Sequence, residues 1–459
     1  MDILNDTIAA VSTPRGTGGI AVIRISGERS FEIADAMLRL KKRVRLADTE
    51  HGKLQLCTVV SENGVIDECM CTHFKAPHSY TGEDSVEIFC HGGALCTSLV
   101  LEQCFTAGAR QALAGEFTKR AYINGKLSLS AAEAVGELIH AKTEAAVRIS
   151  NSNIQGTLER EINTISDKLR ELLASVYVYI DYPDEELYDV SASEMREALI
   201  EIKKKVDVLA SSYRSGMAVS EGIETAIVGA PNTGKSTLLN LLCGKERAIV
   251  TDIAGTTRDV ISEEVVLGDL LLRLSDTAGV RDTDDKVESI GISKSYGEID
   301  SAQLVIAVFD GSRPLSSDDE KLIDYLLAKE KTVVAVMNKT DLGAIPEKRL
   351  RERFGELCTV SALDRASKDE LCRRISALYL DDAIDFSQTP VVTTAQRHSA
   401  LVNASRSIGE AAALLEKSDE QTLAGSLCED ALSYLCESSG KSVSEDIVNT
   451  IFSKFCVGK

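Results

Sequence analysis

The sequence predicts a multidomain protein of α/β and α parts. A mixed α+β region comes first, then a helical bundle in two halves with an α/β domain inserted between them. Three observations carry that expectation. Strand-like and helix-like apolar patterns mix up to about residue 120. Apolar residues then recur at threes and fours, both before about 215 and after about 379. Between those stretches a short apolar run opens into a glycine-rich loop and a further helical pattern. The boundaries so drawn are 1–120, 121–215, 216–378 and 379–459. Such an insertion requires the inserted domain's ends to lie close together, which is common.

The first region contains Gly19–Gly27, a strand with Arg24 among apolar residues. Phe31–Leu40 follows as an amphipathic helix, then Lys53–Val60 and Cys69–Phe74 as strands. Ala76–Gly93 begins as a polar loop and ends as a strand with a glycine turn. Alternation puts Glu87 opposite Val86 and Ile88, and that pattern leaves a solvent-facing role and a functional one equally open. His78 and His91 lack metal-ligand spacing and read as loop-ordering residues.

In the helical part, Leu129–Ser150 reads as one helix beginning after Ser128 or Ser130, with Glu133 as a capping-box partner to Ser130. Glu159–Ile180 follows and is broken by the segment containing Pro183. A third helix spans Ser193–Arg214. Thr393–Lys417, Glu420–Ser438 and Val443–Phe455 give three more after the inserted domain. Lys203–Lys205 and the basic run Lys41–Arg45 read as solvated surface.

Composition bounds the function. The formal net charge of −20 argues against phosphate-backbone binding by the whole surface and leaves room for a local basic patch. Apolar runs fall short of the ~20 residues that span a bilayer. The N-terminus lacks the basic and apolar regions of a secretion signal. Twelve scattered cysteines show neither zinc spacing nor a disulfide framework. Reduced thiols in a cytoplasm follow as the expectation.

The inserted domain carries the chemistry. Ala226–Val228 leads into Gly229-Ala230-Pro231-Asn232-Thr233-Gly234-Lys235-Ser236-Thr237, a G-x-x-x-x-G-K-[ST] loop between strand and helix. Its amides and the helix N-terminus make an anion nest. Lys235 would reach the β- and γ-phosphates, and Ser236 would hold Mg²⁺. Strand Leu270–Ser275 delivers Asp276, Thr277, Ala278 and Gly279, with Asp276 toward the Mg²⁺ shell and the Gly279 amide toward the γ-phosphate. Strand Lys331–Met337 ends in Asn338-Lys339-Thr340-Asp341, and a carboxylate there accepts the paired donors of guanine, which adenine does not present together. Ser361, Ala362 and Leu363 would close over the base. Four such words in order, each at a strand end, predict GTP as ligand.

With these motifs and its flanking sequences, the chain resembles the MnmE (TrmE) family of bacterial tRNA-modification GTPases. The likeness runs end to end. It rests on Gly229–Thr237, Thr251–Asp259 and Asp276–Gly279, and more specifically on Pro77–Gly93, Gly115–Thr118, Asn124–Leu127 and the terminal Cys456–Lys459. Ala114 and Val457 depart from the family's usual proline and frequent isoleucine, and neither puts a site role in doubt. The resemblance implies an N-terminal folate-binding and dimerisation domain, a discontinuous helical bundle and an inserted Ras-like P-loop G domain. It implies a homodimer that acts on tRNA with an FAD-dependent partner, MnmG, to modify the 5-position of the wobble uridine. The product carries an aminomethyl or carboxymethylaminomethyl group, with the one-carbon unit borne on tetrahydrofolate (5-formyl or 5,10-methylene). The implied folate contacts are Arg24, Glu87, Lys126 and Lys459. Cys456 matches the family's terminal cysteine, as a catalytic thiol or a small packed side chain.

Hydrolysis would differ from that of Ras. Val280 follows Gly279 where a water-orienting glutamine is expected, and its side chain has no donor or acceptor. Glu288, in the polar segment Arg281–Glu288, takes that role by resemblance. The family also uses K⁺, implying ligands at Asn232, Thr251, Ile253 and Thr256 when two G domains meet, and places Thr257 on Mg²⁺. The nucleotide-contacting loop would comprise Thr251, Asp252, Ile253, Ala254, Gly255, Thr256 and Thr257. The alternative class is a GTPase switch that assembles ribosomes. Such a switch has no need of the N-terminal block or of the tail from Cys456.

Overall fold

The computed structural model describes residues 6–14, 16–42, 44–181, 191–243, 263–274, 296–361, 366–381, 384–417, 421–440, 451–453 and 455–458. The chain falls into two compact units, one of residues 1–136 with 439–459 and one of 137–438.

The first unit is built on a seven-stranded sheet. Its elements are β1 (Ile8–Val11), β2 (Ile20–Ser26), α1 (Ser30–Met37), β3 (Leu38–Leu40), β4 (Gln55–Ser61), β5 (Gly64–Phe74), β6 (Ser85–His91), α2 (Ala94–Thr106), β7 (Arg110–Gln111) and α3 (Glu116–Ile123). The strand order is β3-β4-β5-β6-β2-β1-β7. Pairing is antiparallel except between β1 and β7. Ile23, Ile25, Val86 and Ile88 join Ile33 of α1 and Val100 and Cys104 of α2 in one core. Period-two alternation turns Arg24 and Glu87 to the other face, where register pairs them directly. The helix expected over Phe31–Leu40 stops at Met37. Leu38 and Leu40 are buried around exposed Arg39, a period of two, and pair with Val59 and Cys57 as β3.

The C-terminal residues complete this unit. Phe452 is buried with Leu129 and Ala132, and Val457 forms an antiparallel bridge with Ala114. Gly458 sits at φ +101, where an added Cβ would lie 2.1 Å from the Val11 carbonyl oxygen. Only a residue without a side chain fits so close to β1. The helix expected over Val443–Phe455 is described at Ile451–Ser453, which are helical, and at Phe455, which is not, since 441–450 and 454 lie outside the described residues.

The stretch expected as one helix from Leu129 to Ser150 is two, α4 (Leu129–His140) and α5 (Glu144–Ile154). Thr143 caps α5 by accepting from the Ala146 amide at 3.0 Å. The expected Ser130–Glu133 capping box does not form. Ser128 accepts the Ala131 amide at 3.2 Å, and Ser130 lies buried inside the helix with its hydroxyl unpartnered among the described residues. α6 (Thr157–Asp181), α7 (Ala192–Ser211) and α8 (Tyr213–Ser220) follow. The third expected helix thus ends at Ser211, and α8 leads on into the α/β domain.

That domain comprises β8 (Ile223–Val228), α9 (Lys235–Cys243), β9 (Glu263–Leu267), β10 (Leu270–Leu274), β11 (Leu304–Asp310), α10 (Ser317–Ala328), β12 (Thr332–Asn338), α11 (Glu347–Phe354), β13 (Cys358–Thr359) and α12 (Ala366–Tyr379). Its six strands run in the order β13-β12-β11-β8-β10-β9, parallel but for the β9–β10 pair. Both faces are covered, as a parallel sheet requires. Ile227, Ile306 and Val308 lie in one core, with Ala145 and Ile149 of α5 and Ala218 and Val219 of α8. Ala226, Val228, Val305, Ala307 and Phe309 lie in the other. α13 (Ala395–Lys417) and α14 (Gln421–Ser438) close a bundle core with α6 and α7 through Leu169, Leu199, Ile408 and Cys428.

Candidate functional site

The carboxyl ends of β8, β11 and β12 converge, the usual ligand position in a parallel α/β sheet. β8 ends at Val228 and the loop 229–234 turns into α9 at Lys235. Asn232 has φ 62 and Gly234 φ 92. A Cβ at Gly234 would stand 2.1 Å from Asn338 Nδ2, which donates to the Thr233 carbonyl at 2.9 Å. The amide loop and the segment expected to read the base are therefore in direct contact. Thr233 is fully buried and its hydroxyl donates to the Ala230 carbonyl at 2.9 Å. Ser236 and Thr237 occupy the first turn of α9.

Lys235 is folded back into the loop, donating to the carbonyls of Gly229 and Ala230 at 2.9 Å each. Burial pushes its pKa below the ordinary lysine value, and the Asp319 charge opposes that shift. An ammonium held by two neutral carbonyls is a donor set that fits a polyphosphate. Lys339 Nζ donates to the Asn232 carbonyl at 2.7 Å and to Asp310 Oδ2 at 2.6 Å. Burial raises the Asp310 carboxyl, but Lys339 and the Ser312 hydroxyl and amide more than offset it, leaving the pKa lowered. Ser361 Oγ donates to Asp341 Oδ1 at 2.9 Å, joining the two segments expected to meet the base.

Thr251, Asp252, Ile253, Ala254, Gly255, Thr256, Thr257, Asp276, Thr277, Ala278, Gly279, Glu288, Ala362, Leu363 and Lys459 lie outside the described residues. The expected Mg²⁺ and K⁺ sets are thus described only at Ser236 and Asn232.

A second site lies on the first unit's sheet. Arg24 Nε donates to Glu87 Oε1 at 2.9 Å, and the Arg24 guanidinium lies 5.0 Å from the Tyr80 ring centroid and 5.5 Å from that of Phe117. A cavity of about 270 Å³ is lined by Arg24, Phe74, His78, Ser79, Tyr80, Ser85 and Glu87. It has the size and mixed aromatic and polar walls that suit a bicyclic heterocycle. Lys126 Nζ donates to the Pro77 carbonyl at 3.1 Å, on the loop that supplies His78, Ser79 and Tyr80. Cys456 is exposed, its carbonyl accepting the Gly115 amide at 3.4 Å.

The family model described as "MnmE helical domain" matches residues 129–456, and "GTP-binding protein TrmE N-terminus" matches 7–126. A protein named tRNA modification GTPase MnmE from Clostridioides difficile is 39% identical, over 99% of this chain and 100% of its own. Its namesake from Acetivibrio thermocellus is 40% identical, over 99% of each chain.

The chain belongs to the MnmE family.

Another MnmE relative, from Thermotoga maritima, is 39% identical over 99% of this chain. Among solved structures, the G domain of the Thermotoga maritima FeoB iron transporter aligns over 34% of this chain and 98% of its own, with 24% identity and a TM-score of 0.26. That likeness is too weak to bear on the assignment.

Within this MnmE-family chain, sequence reasoning passed over several residues at the two sites. Asp310 anchors Lys339, and its signal was an acid closing the apolar run Leu304–Phe309. Arg120 is 1% exposed and its guanidinium meets Asp6, Glu83 and Glu116. Glu116 stands one helical turn before it, an i,i+4 pair that the sequence did offer as a signal, whereas Asp6 and Glu83 are remote in sequence and nothing in the helix pointed to them.

Proposed function

We propose that the chain hydrolyses GTP as a component of tRNA modification. The observation that carries this reading is the glycine loop at the end of β8 bonded to Asn338, with Lys235 poised inside it. Asp341, Asn338 and Lys339 read guanine, while Lys235 and the loop amides, Asn232 to Thr237, hold the phosphates. Ser236, Thr257 and Asp276 fit Mg²⁺, which would supply charge neutralisation on the phosphate oxygens.

The finer reading is that Glu288 orients the attacking water in place of the absent glutamine. Asn232, Thr251, Ile253 and Thr256 would hold K⁺ when two G domains meet in a homodimer. Arg24, Glu87, Lys126 and Lys459 would bind the reduced folate, and MnmG would bring FAD to a shared reaction on the wobble uridine in the cytoplasm. Cys456, exposed at the tail, is the candidate thiol. Boundaries near 120, 215 and 378 separate the proposed domains.

Steady-state GTP turnover in K⁺ against Na⁺, with wild type and Glu288→Ala, tests the hydrolytic half. K⁺ should accelerate turnover well beyond Na⁺, and Glu288→Ala should lower kcat with little change in nucleotide affinity. Equal rates in the two salts would remove the cation site. Nucleoside analysis of tRNA from a strain lacking the gene tests the other half, and an unmodified wobble uridine is expected. An intact wobble uridine with defective ribosomal subunits would favour the assembly switch.

A further inference from the structure

The Arg24–Glu87 cavity has a back wall whose hydrogen-bond polarity is set from behind. Ser79 and Ser85 line the cavity, and with Ser26 and Thr81 they form a buried cluster of four hydroxyls. Each hydroxyl has one proton to give. Glu83 lies behind the cluster, paired through both carboxylate oxygens with Arg120 Nη1 at 3.2 and 3.3 Å. A carboxylate so paired only accepts. Ser26 Oγ therefore donates to Glu83 Oε2 at 2.8 Å. Thr81, 2.6 Å from Ser26, then has to donate to it. Ser85 is left with inward acceptors alone, Ser26 Oγ at 3.3 Å, and the Glu83 carbonyl and Thr81 Oγ1 at 3.4 Å each. Ser79 donates to the same carbonyl at 2.5 Å. Both cavity-lining hydroxyls thus direct their protons away from the cavity and turn lone pairs toward it. Glu87 adds a carboxylate to the same space.

We propose that Glu83 is a positioning residue that makes this wall an acceptor surface. The cavity then takes the end of a ligand that presents N–H donors, which in a reduced folate is the 2-amino-pyrimidinone edge of the pterin. The inference rests on the folate reading of the cavity and deepens it by naming the ligand edge and the residues that select it. Glu83 acts through Ser26 and Thr81, and Ser85 is the group that meets the ligand.

The test is a calorimetric titration of the full-length protein with 6-methyltetrahydropterin and with its 2-oxo counterpart, which replaces the amino donor by an acceptor. Wild type should favour the amino compound by about 100-fold or more, as sites built to pair a buried polar group do. In Glu83→Gln, Arg120 claims the amide oxygen and turns the amide nitrogen to Ser26. The chain of donors then reverses, and the preference should shrink to within about fivefold. Glu83→Asp keeps an acceptor-only group and should keep the preference even where both affinities fall. Ser85→Ala leaves the Arg120–Glu83 ion pair untouched and should weaken the amino compound by about tenfold with little effect on the oxo compound. If Glu83→Gln fails to fold, Ser26→Ala, which cuts the 2.8 Å link to Glu83 without lining the cavity, should shrink the preference in its place. An unchanged preference in both Glu83→Gln and Ser85→Ala, or a wild type that does not discriminate, overturns the proposal. A wild type that binds neither compound overturns the folate reading of the cavity, and the proposal with it.

Discussion

At the scale of single residues, the nucleotide loop depends on two contacts that a small change would break. An alanine at Gly234 would place its Cβ 2.1 Å from Asn338 Nδ2 at a φ of 92. Either the Asn338–Thr233 bond breaks or the loop opens, so Gly234→Ala should weaken GDP binding by about 100-fold or more in a fluorescent-nucleotide titration. Lys235 gives a pH signature. Burial lowers its pKa from the ordinary 10.5, and a bound polyphosphate would raise it again. Between those two values binding takes up a proton, so affinity should fall as pH rises through the lowered value. Calorimetry in buffers of different ionisation enthalpy should show proton uptake on the alkaline side below 10.5, and less of it in Lys235→Met, where only the guanine N1 proposed to meet Asp341 is left to take up a proton. The loop itself was legible in the sequence because glycine, lysine and serine at fixed spacing leave few other structures open. Arg120 and Glu83 were not, since a buried ion cluster is made by residues that only the folded sheet brings together.

At the scale of elements, apolar periodicity located helices and strands well and their ends less well. α4 and α5 read as one helix because the apolar spacing continues through Ala141–Thr143, yet Thr143 stops one and caps the next. The sequence left Ser128 and Ser130 both open as the start, with glutamate three residues on offering a capping box at Ser130, but the chain used Ser128, two residues earlier. The two serines offer the same local chemistry, and burial of Ser130 against the core decided between them. The difference is measurable by denaturant unfolding. Thr143→Ala should cost about 1 kcal/mol through the lost cap. Ser130→Ala removes a buried hydroxyl without a partner among the described residues, and should be neutral or slightly stabilising.

At the scale of the whole molecule, the sequence suggested a helical domain split by an insertion, and it placed the last residues in that domain. The compact units divide the chain differently, since 439–459 belong with 1–136. Hydrophobic spacing reports that a segment is helical but says nothing of which core it enters, and the tail's attachment is largely backbone. Val457 bridges Ala114, and the Ser12 hydroxyl donates to the Gly458 carbonyl at 3.0 Å. Phe452 supplies the apolar anchor, 2% exposed beside Leu129 and Ala132. The tail should therefore act as a structural part of the first unit as well as the carrier of Cys456. Phe452→Ala should destabilise that unit by about 3–5 kcal/mol, the range for emptying a buried aromatic site. Cys456→Ala touches an exposed side chain and should leave its stability unchanged within about 0.5 kcal/mol. Urea unfolding followed by hydrogen exchange would resolve the two. If Phe452→Ala left protection of β1 and β2 intact, the tail would be a passive appendage, and any loss of activity on truncating it would have to come from Cys456 or Lys459.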